Sequence, residues 1–409
     1  MKKIVISLIG LIGLIGPIQA QFSLDWHGFV NPHYYADSRS VVGGREDMML
    51  FYPKPVLLDS LGNDINDGWQ ADMLAITARL NLLITGPDML GAKTSAYIEG
   101  DFTGSTNATI NNLRLRHAYI VLRWNRWVVD DLYETRHMLI AGQYWYPMVV
   151  HEIMPMTNPL NMGAPFHCYA RQPQIRYTYS LGHWEAVAVT SWQLDNMSQG
   201  LLNGTPTSST QFARHSMVPE LTAQLRYRTG GLFIGAAVNA KTIQPIVNTT
   251  GMASNQPLRT SMTYSVFGSL KAGPVTFKAQ TLLNNSLYEG CSLGGYLMYT
   301  SVAGNDVMFR DWTFNTVWLD VERNRGHWRP GLFMGYAQKQ DEGPVLAIYG
   351  PPTVFGRGYD LDYLWRIQPR LTYTTEKGLS FTGEAEYTYA GYNTPVGNLR
   401  LSLSMVYAF

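Results

Sequence analysis

Arginine and lysine side chains recur at alternate positions in several stretches of the sequence, as at Arg114 and Arg116 or at Arg226 and Arg228. A planar guanidinium group binds a carboxylate through two parallel hydrogen bonds, so a row of such groups offers anions a series of weak sites. The cationic residues at the polar positions of segments in which apolar and polar residues alternate are Arg79, Arg114, Arg116, Arg176, Arg226, Arg228, Lys241, Lys278, Arg366, Arg370 and Arg400. The acidic residues at the polar positions of the same kind of segment are Glu99, Asp101, Glu220, Glu384 and Glu386.

Such spacing requires extended strands, in which residues two apart share one face. From Leu399 to Phe409 every second residue is apolar, and Arg400 is one of the polar residues between them. An edge strand of a soluble sandwich is the alternative for this one segment. If the apolar face points outward, the charged residues face inward, where cations outnumber acids about two to one although the chain's formal net charge is only +1.

The same alternation recurs along the chain and predicts about sixteen strands. They are 22–35, 72–84, 93–102, 112–124, 135–145, 174–179, 184–193, 219–228, 232–241, 258–271, 275–284, 312–323, 328–338, 363–373, 379–389 and 399–409. Short turns such as RTGG, KAGP and TEKG alternate with the long segments 38–70, 146–173, 195–218, 286–310 and 339–362. This pattern predicts an all-β fold, a closed antiparallel transmembrane β-barrel with short periplasmic turns and long external loops, because closure leaves no unpaired edge in lipid.

The composition and the first residues support an exported chain. Only 15% of the residues are charged and 12% are aromatic, and no apolar run long enough for a spanning helix follows Ala20. Lys2 and Lys3 precede an apolar core over 4–18, so residues 1–20 are predicted to be a secretory signal peptide, with an uncleaved anchor as the alternative. Residues 21–409 then form one barrel domain. Cys168 and Cys291 fall in predicted external loops, where a bridge is one alternative and free thiols the other.

Five motifs in the first half of the chain resemble one family. They are ITGPDMLGAKTSAYIEGDFTG (84–104), LRLRHAYIVLRW (113–124), LIAGQYWYP (139–147), NMGAPF (161–166) and RQPQIRYTY (171–179). Together they resemble the DcaP-like porins and their Bacteroidetes relatives over roughly residues 70–179. The resemblance implies a trimeric sixteen-stranded channel in a Gram-negative outer membrane, with Bacteroidetes as a candidate source, that passes small carboxylate-bearing solutes. The coiled-coil extension of better-known members is not seen here.

The chain end and one loop carry further expectations. Tyr407 and the terminal Phe409 resemble the assembly signal of bacterial outer-membrane barrels, which implies the barrel-assembly machinery as a partner. The segment 146–173 is long, apolar and rich in proline and methionine, so we expect it to fold back into the lumen as a constriction; packing at a trimer interface is the alternative. Its candidate residues are Tyr146, His151, Glu152, Met154 and His167. The histidines have no diagnostic ligand spacing, so no metal is expected.

These observations predict an outer-membrane porin for passive diffusion of small hydrophilic, anionic solutes. Its expected partners are outer-membrane lipid, two further copies in a homotrimer, and the solutes, with no nucleic acid and no cofactor. Several arginines could instead pair only with facing acids. A surface-binding or adhesive barrel with an occluded lumen is the competing function. An enzyme is not expected, because GxSxG, HExxH and Walker motifs are all missing from the sequence. Asp59, Ser60 and Leu61 match a short O-glycosylation pattern.

Overall fold

The computed structural model describes residues 22–128, 133–158, 162–248, 257–301, 307–340 and 350–409. The predicted signal peptide over 1–20 and its cleavage site lie outside the described residues. The main sheet is a closed antiparallel barrel of sixteen strands, which confirms the predicted fold class. Each strand pairs with the strand that follows it in the sequence, as expected for an up-and-down barrel.

Two of the sixteen strands are kinked and therefore consist of two segments each. The strands are β1 (Ser23–Val30 and His33–Arg39), β2 (Asp67–Leu74 and Arg79–Thr85), β3 (Lys93–Asp101), β4 (Arg114–Val128), β5 (Tyr133–Trp145), β6 (Arg171–Leu181), β7 (Trp184–Ser191), β8 (Glu220–Thr229), β9 (Leu232–Ile243), β10 (Arg259–Ala272), β11 (Val275–Asn285), β12 (Phe314–Arg323), β13 (Trp328–Lys339), β14 (Tyr363–Thr374), β15 (Leu379–Gly391) and β16 (Val396–Ala408).

The first and last strands close the barrel. In the antiparallel register of β1 and β16, His33 lies opposite Ser404 and Asp37 lies opposite Arg400. At the chain end the main-chain groups of Gly28 and Phe409 exchange two hydrogen bonds of 3.0 Å. Closure pairs the two edge strands, whose backbone groups an open sheet would leave without partners.

Alternating exposure along each strand separates an apolar exterior from a polar interior. In β16, Leu401 and Leu403 are 45% and 62% exposed, whereas Arg400, on the other face of the strand, is 1% exposed. In β8, Leu221 and Leu225 are likewise exposed, and the polar residues between them are buried. Because successive side chains of a strand point to opposite faces, the charged residues at the polar positions of the strands lie on the inner face of the wall.

The predicted bounds of the first two strands are the least accurate. The predicted strand 22–35 continues to Arg39 and kinks at Pro32, and the predicted strand 72–84 begins at Asp67 and is interrupted between Leu74 and Arg79. Proline cannot donate a ladder hydrogen bond, so the register breaks at Pro32 and the periodic pattern is lost there. Part of the predicted loop 38–70 is consequently strand.

Short turns occupy one rim and, apart from the four-residue connection 392–395, longer loops occupy the other, as predicted. The turns include 182–183, 230–231 and 273–274, whereas several loops carry regular structure of their own. These loop elements are strands Val41–Gly44, Met49–Pro53, Gln199–Leu202, Thr205–Ser208, Ile246–Val247, Gly294–Thr300, Val307–Trp312 and Thr353–Arg357, 3₁₀ helices Asn107–Thr109, His151–Ile153 and Tyr288–Gly290, and the α-helix Gln211–Ser216. Within the described ranges, no helix has the length and apolar character needed to span a membrane.

The loop between β5 and β6, described over residues 146–158 and 162–170 and here called the inner loop, packs inside the barrel. Its Phe166 side chain is fully buried beside Phe333 of β13, with ring centroids 6.3 Å apart, and Phe333 stacks in turn on Trp318 of β12. Gly335 makes room for the Phe166 ring, since a Cβ atom at this position would lie 2.5 Å from Phe166 Cδ2. The loop and the wall thus share one hydrophobic core.

Replacing Gly335 by alanine is expected to destabilise the barrel by about 1–3 kcal/mol, because the added methyl group overpacks the Phe166 contact. Urea unfolding of the detergent-refolded protein measures the loss. The matched control is Gly383→Ala, whose Cβ would meet Leu403 at an ordinary 3.5 Å. Equal stability of the two variants would contradict tight seating of the inner loop.

Candidate functional site

A cationic cluster covers the inner face of β2 to β4. Arg116 Nε lies 2.6 Å from Glu99 Oε1, and its Nη1 lies 2.7 Å from Asp101 Oδ2. Arg114 Nε binds the same Asp101 at 2.8 Å, and Arg79 Nε lies 3.5 Å from Glu99. Strand alternation explains the grouping, because Arg114 and Arg116 are two apart on β4 and face the acidic pair of β3 across the ladder. Three arginines share two carboxylates, which leaves a net positive charge.

Strand β6 adds two arginines that have aromatic rather than acidic neighbours. The Arg171 guanidinium lies 5.1 Å from the Trp145 ring centroid, and that of Arg176 lies 5.1 Å from the Tyr144 ring centroid. Arg176 Nε also donates to Gln174 at 3.2 Å. In the part of the chain that the structure describes, neither guanidinium has a carboxylate within 4.0 Å. Together with the β2–β4 cluster these side chains form what we call the arginine wall: Arg79, Arg114, Arg116, Arg171 and Arg176.

The strands from β9 round to β16 also carry buried cations, but their charges are compensated. The closest contacts are 3.0 Å for Arg366 with Glu386, 2.7 Å for Arg370 with Asp320, 2.6 Å for Arg400 with Asp37, and 2.9 Å for Lys278 with Glu322. Lys241 is similarly paired with Glu289 at 2.6 Å. Such buried pairs hold strands and loops in place, because separating either partner would leave a desolvated charge.

The inner loop lies against this compensated side. Arg366 Nη1 donates to Ala164 O at 2.7 Å, and Lys278 Nζ donates to Met154 O at 3.0 Å. In the other direction, the Asn158 main-chain N–H donates to Glu384 Oε2 at 3.0 Å. These bonds attach the loop to β11, β14 and β15, on the side of the barrel that faces Arg171 and Arg176.

The residues predicted for the constriction have separate partners. Tyr146 donates to Glu220 Oε1 at 2.5 Å, and Glu152 lies 3.3 Å from both Arg226 and Arg228. His167 Nδ1 lies 2.8 Å from Gln280 Oε1, and burial lowers the pKa of this histidine to about 4.

The remaining loop side chains with potential metal or redox chemistry are dispersed. His151 is exposed and starts the 3₁₀ helix His151–Ile153. Among the described residues, no three His, Cys, Asp or Glu side chains come together as a metal site would need. Both Cys168 and Cys291 are free thiols.

Two polar cavities adjoin the arginine wall, one toward each rim. The long-loop cavity has a volume of about 510 Å³, and its lining includes Arg45, Arg114 and Arg171. The short-turn cavity has a volume of about 310 Å³, and its lining includes Arg176 and the Glu152-bound Arg226. Arg171 and Arg176 both belong to β6, so a strand rise of about 3.3 Å per residue separates their backbones by about 17 Å. One strand thereby presents a guanidinium group to each cavity.

The sequence indicated four of the five residues of the arginine wall, but not Arg171 or its two neighbours Arg45 and Tyr169. Arg171 has the parity of an outward residue in β6, yet it is 8% exposed because it packs on Trp145. Arg45 belongs to a long loop, for which alternation makes no statement. Tyr169, which lies beside Arg116, carried no charge or motif that could have identified it.

Three solved structures share this architecture. The chain has a TM-score of 0.67 to the outer-membrane channel DcaP of Acinetobacter baumannii, at 19% identity over 95% of this chain and 97% of that one. It has a TM-score of 0.53 to the trimer form of OmpT from Vibrio cholerae, at 8% identity over 95% and 99% of the two chains. The TM-score to Salmonella typhi OmpF is 0.50, at 11% identity over 94% and 97%. The fold is that of outer-membrane porins.

These likenesses extend over nearly the whole chain but remain below the identity at which more than the fold follows. The sequence matches no protein-family model and no curated protein. The narrower resemblance to DcaP-like proteins and the Bacteroidetes source therefore stay predictions.

The compensated side yields a stability test. Asp37→Asn should destabilise the barrel by about 3–5 kcal/mol, because Arg400 is buried and would lose its charged partner. Asp88→Asn is the matched control; its pair with Lys93 is exposed to solvent, so its loss should not be measurable. Urea unfolding compares the two, and an Asp37→Asn protein as stable as the control would show that the pair is not structural.

Proposed function

We propose that the chain is an integral outer-membrane porin through which small hydrophilic anions, including carboxylates, diffuse passively. The apolar outer face, the polar inner face and the separation of turns from loops are properties of barrels that cross an outer membrane. The porin fold of the neighbours supports the same proposal.

The single observation that carries the anion preference is the unequal compensation of the two sides of the barrel. Arg366, Arg370 and Arg400 each bind a carboxylate at 3.0 Å or less. Arg171 and Arg176 face aromatic rings and lack such a partner in the described ranges. In a confined aqueous space an uncompensated guanidinium attracts anions and repels cations, and two of them in series give weak sites that release the solute again.

The inner loop is proposed to be the constriction. Its hydrogen bonds to Arg366, Lys278 and Glu384 hold it on one side, so a solute would pass between the loop and the arginine wall. Glu152 places one carboxylate beside the short-turn cavity, where it partly compensates Arg226. A constriction of this form would sort solutes by size before charge acts on them.

Partners follow from the same proposal. The exposed leucines of β16 would contact lipid, and Tyr407 and Phe409 would present the terminal strand to the barrel-assembly machinery. We propose a homotrimer, since the OmpT structure of Vibrio cholerae was described in a trimer form. No role as an enzyme is proposed.

A surface-binding barrel with an occluded lumen is the second candidate, and one observation favours it. The inner loop, the first long loop and the wall form a continuous hydrophobic cluster that fills part of the bore, with Met48, Phe166 and Trp318 among its buried members. Conductance separates the two functions. An occluded barrel carries no current across a planar bilayer, whereas a porin carries a steady one.

If the protein is a porin, it should conduct ions across a planar bilayer and prefer chloride over potassium in a salt gradient. Arg176→Gln should lower the chloride-to-potassium permeability ratio about two- to tenfold, because it removes an uncompensated charge from the short-turn cavity. Arg329→Gln is the control; Arg329 is exposed on β13 and donates to Gly326 O. Preference for potassium in the unaltered protein, or equal ratios in both variants, would contradict the proposal.

A further inference from the structure

One phenol lies among the guanidinium groups of the arginine wall, at the end of the inner loop. Tyr169 is 4% exposed, and its hydroxyl oxygen lies 3.4 Å from Arg116 Nη1 and 3.5 Å from Arg171 Nη1. The Arg171 guanidinium also lies 5.3 Å from the Tyr169 ring centroid. The Tyr169 main-chain N–H donates to Gly290 O at 2.7 Å, which fixes the residue from a second loop. The phenol is therefore held in place rather than free to swing away.

The surroundings of this phenol are strongly positive. The charged and titratable groups on the elements around it are Arg45, Arg79, Glu99, Asp101, Arg114, Arg116, His117, Arg171, Asp195, Tyr288, Glu289, Cys291 and Arg357. Glu99 and Asp101 are shared among the arginines of β2 and β4, and Glu289 is already bound to Lys241 at 2.6 Å. Arginines consequently outnumber the carboxylates available to them.

A permeating anion would have to place its oxygen atoms beside the same guanidinium groups. Tyr169 also borders the long-loop cavity together with Arg114 and Arg171, so the residue lies beside the proposed route. We propose that Tyr169 determines how strongly the passage prefers anions, because its phenol oxygen occupies an anion position between Arg116 and Arg171 and acts there as an internal counter-ion. This inference rests on the proposed anion passage and adds the residue that regulates it.

The protonation state of the phenol gives this role a pH dependence. Burial opposes ionisation, but Arg116 and Arg171, with Arg79 and Arg114 behind them, outweigh it and lower the pKa of Tyr169 to about 7. Below this pH the phenol is neutral and the arginines keep their full charge. Above it the phenolate cancels one positive charge, so anion preference falls as the pH rises. An ordinary tyrosine, with a pKa of about 10, would change nothing in this range.

The test is the reversal potential of the full-length protein in planar bilayers under a potassium chloride gradient, at about pH 6 and about pH 8.5. The unaltered protein should show a chloride-to-potassium permeability ratio that falls at least about twofold at the higher pH. Tyr169→Phe should keep the higher ratio at both pH values, since it removes the ionisable oxygen and retains the ring. Tyr392→Phe is the matched control: Tyr392 is a buried loop tyrosine that donates to Pro53 O at 2.9 Å, outside the arginine wall.

Each outcome has one meaning. A ratio that falls in the unaltered protein and in Tyr392→Phe but not in Tyr169→Phe supports the inference. A protein that prefers chloride equally at both pH values, or a Tyr169→Phe variant with an unchanged pH profile, overturns the role of Tyr169 and leaves the anion passage standing. Cation preference, or absence of current, at both pH values overturns the proposed function and the inference together.

Discussion

Pairing of β1 with β16 is the constraint on which the rest of the molecule depends. Without it the first and last strands would present unpaired peptide groups to hydrocarbon, where no water satisfies them. The pairing is local in space and remote in sequence: Asp37 and Arg400 lie opposite each other across the seam and also form a buried ion pair of 2.6 Å. The same contact therefore closes the wall and neutralises one side of the bore. Closure also fixes which face of every strand is inside.

The interior is organised by charge compensation rather than by charge sign. Arginines line much of the bore. On one side each binds its own acid or a loop carbonyl, whereas in the arginine wall three arginines share Glu99 and Asp101 and two, Arg171 and Arg176, face aromatic rings. The compensated side binds the inner loop through Arg366 and Lys278. The uncompensated side is left beside the cavities. A single residue type thus contributes to folding on one side and, as we propose, to solute selection on the other, with the difference set by neighbouring carboxylates.

The wall was predictable from the sequence because its determinant is local. Alternation around Leu403 and Arg400 indicates a strand and its two faces, and the same alternation in β4 puts Arg114 and Arg116 on one face, opposite Leu115. The kink at Pro32 was harder, since proline interrupts both the ladder and the pattern. Compensation could not be predicted. Whether Arg370 contacts Asp320 or Arg171 contacts Trp145 depends on which strands become neighbours and on where a loop folds. The spacing of residues within one strand does not indicate these contacts.

Mobile anions are proposed to bind at Arg171 and Arg176 of the arginine wall and not at the arginines that each have their own carboxylate. Crystals soaked in bromide test this proposal most directly, because anomalous scattering locates bound bromide without reference to a transport assay. The predicted result is bromide beside Arg171 and Arg176 inside the barrel, with none beside Arg366 or Arg400. Bromide confined to the outside of the loops, or distributed equally over both sides of the bore, would contradict it.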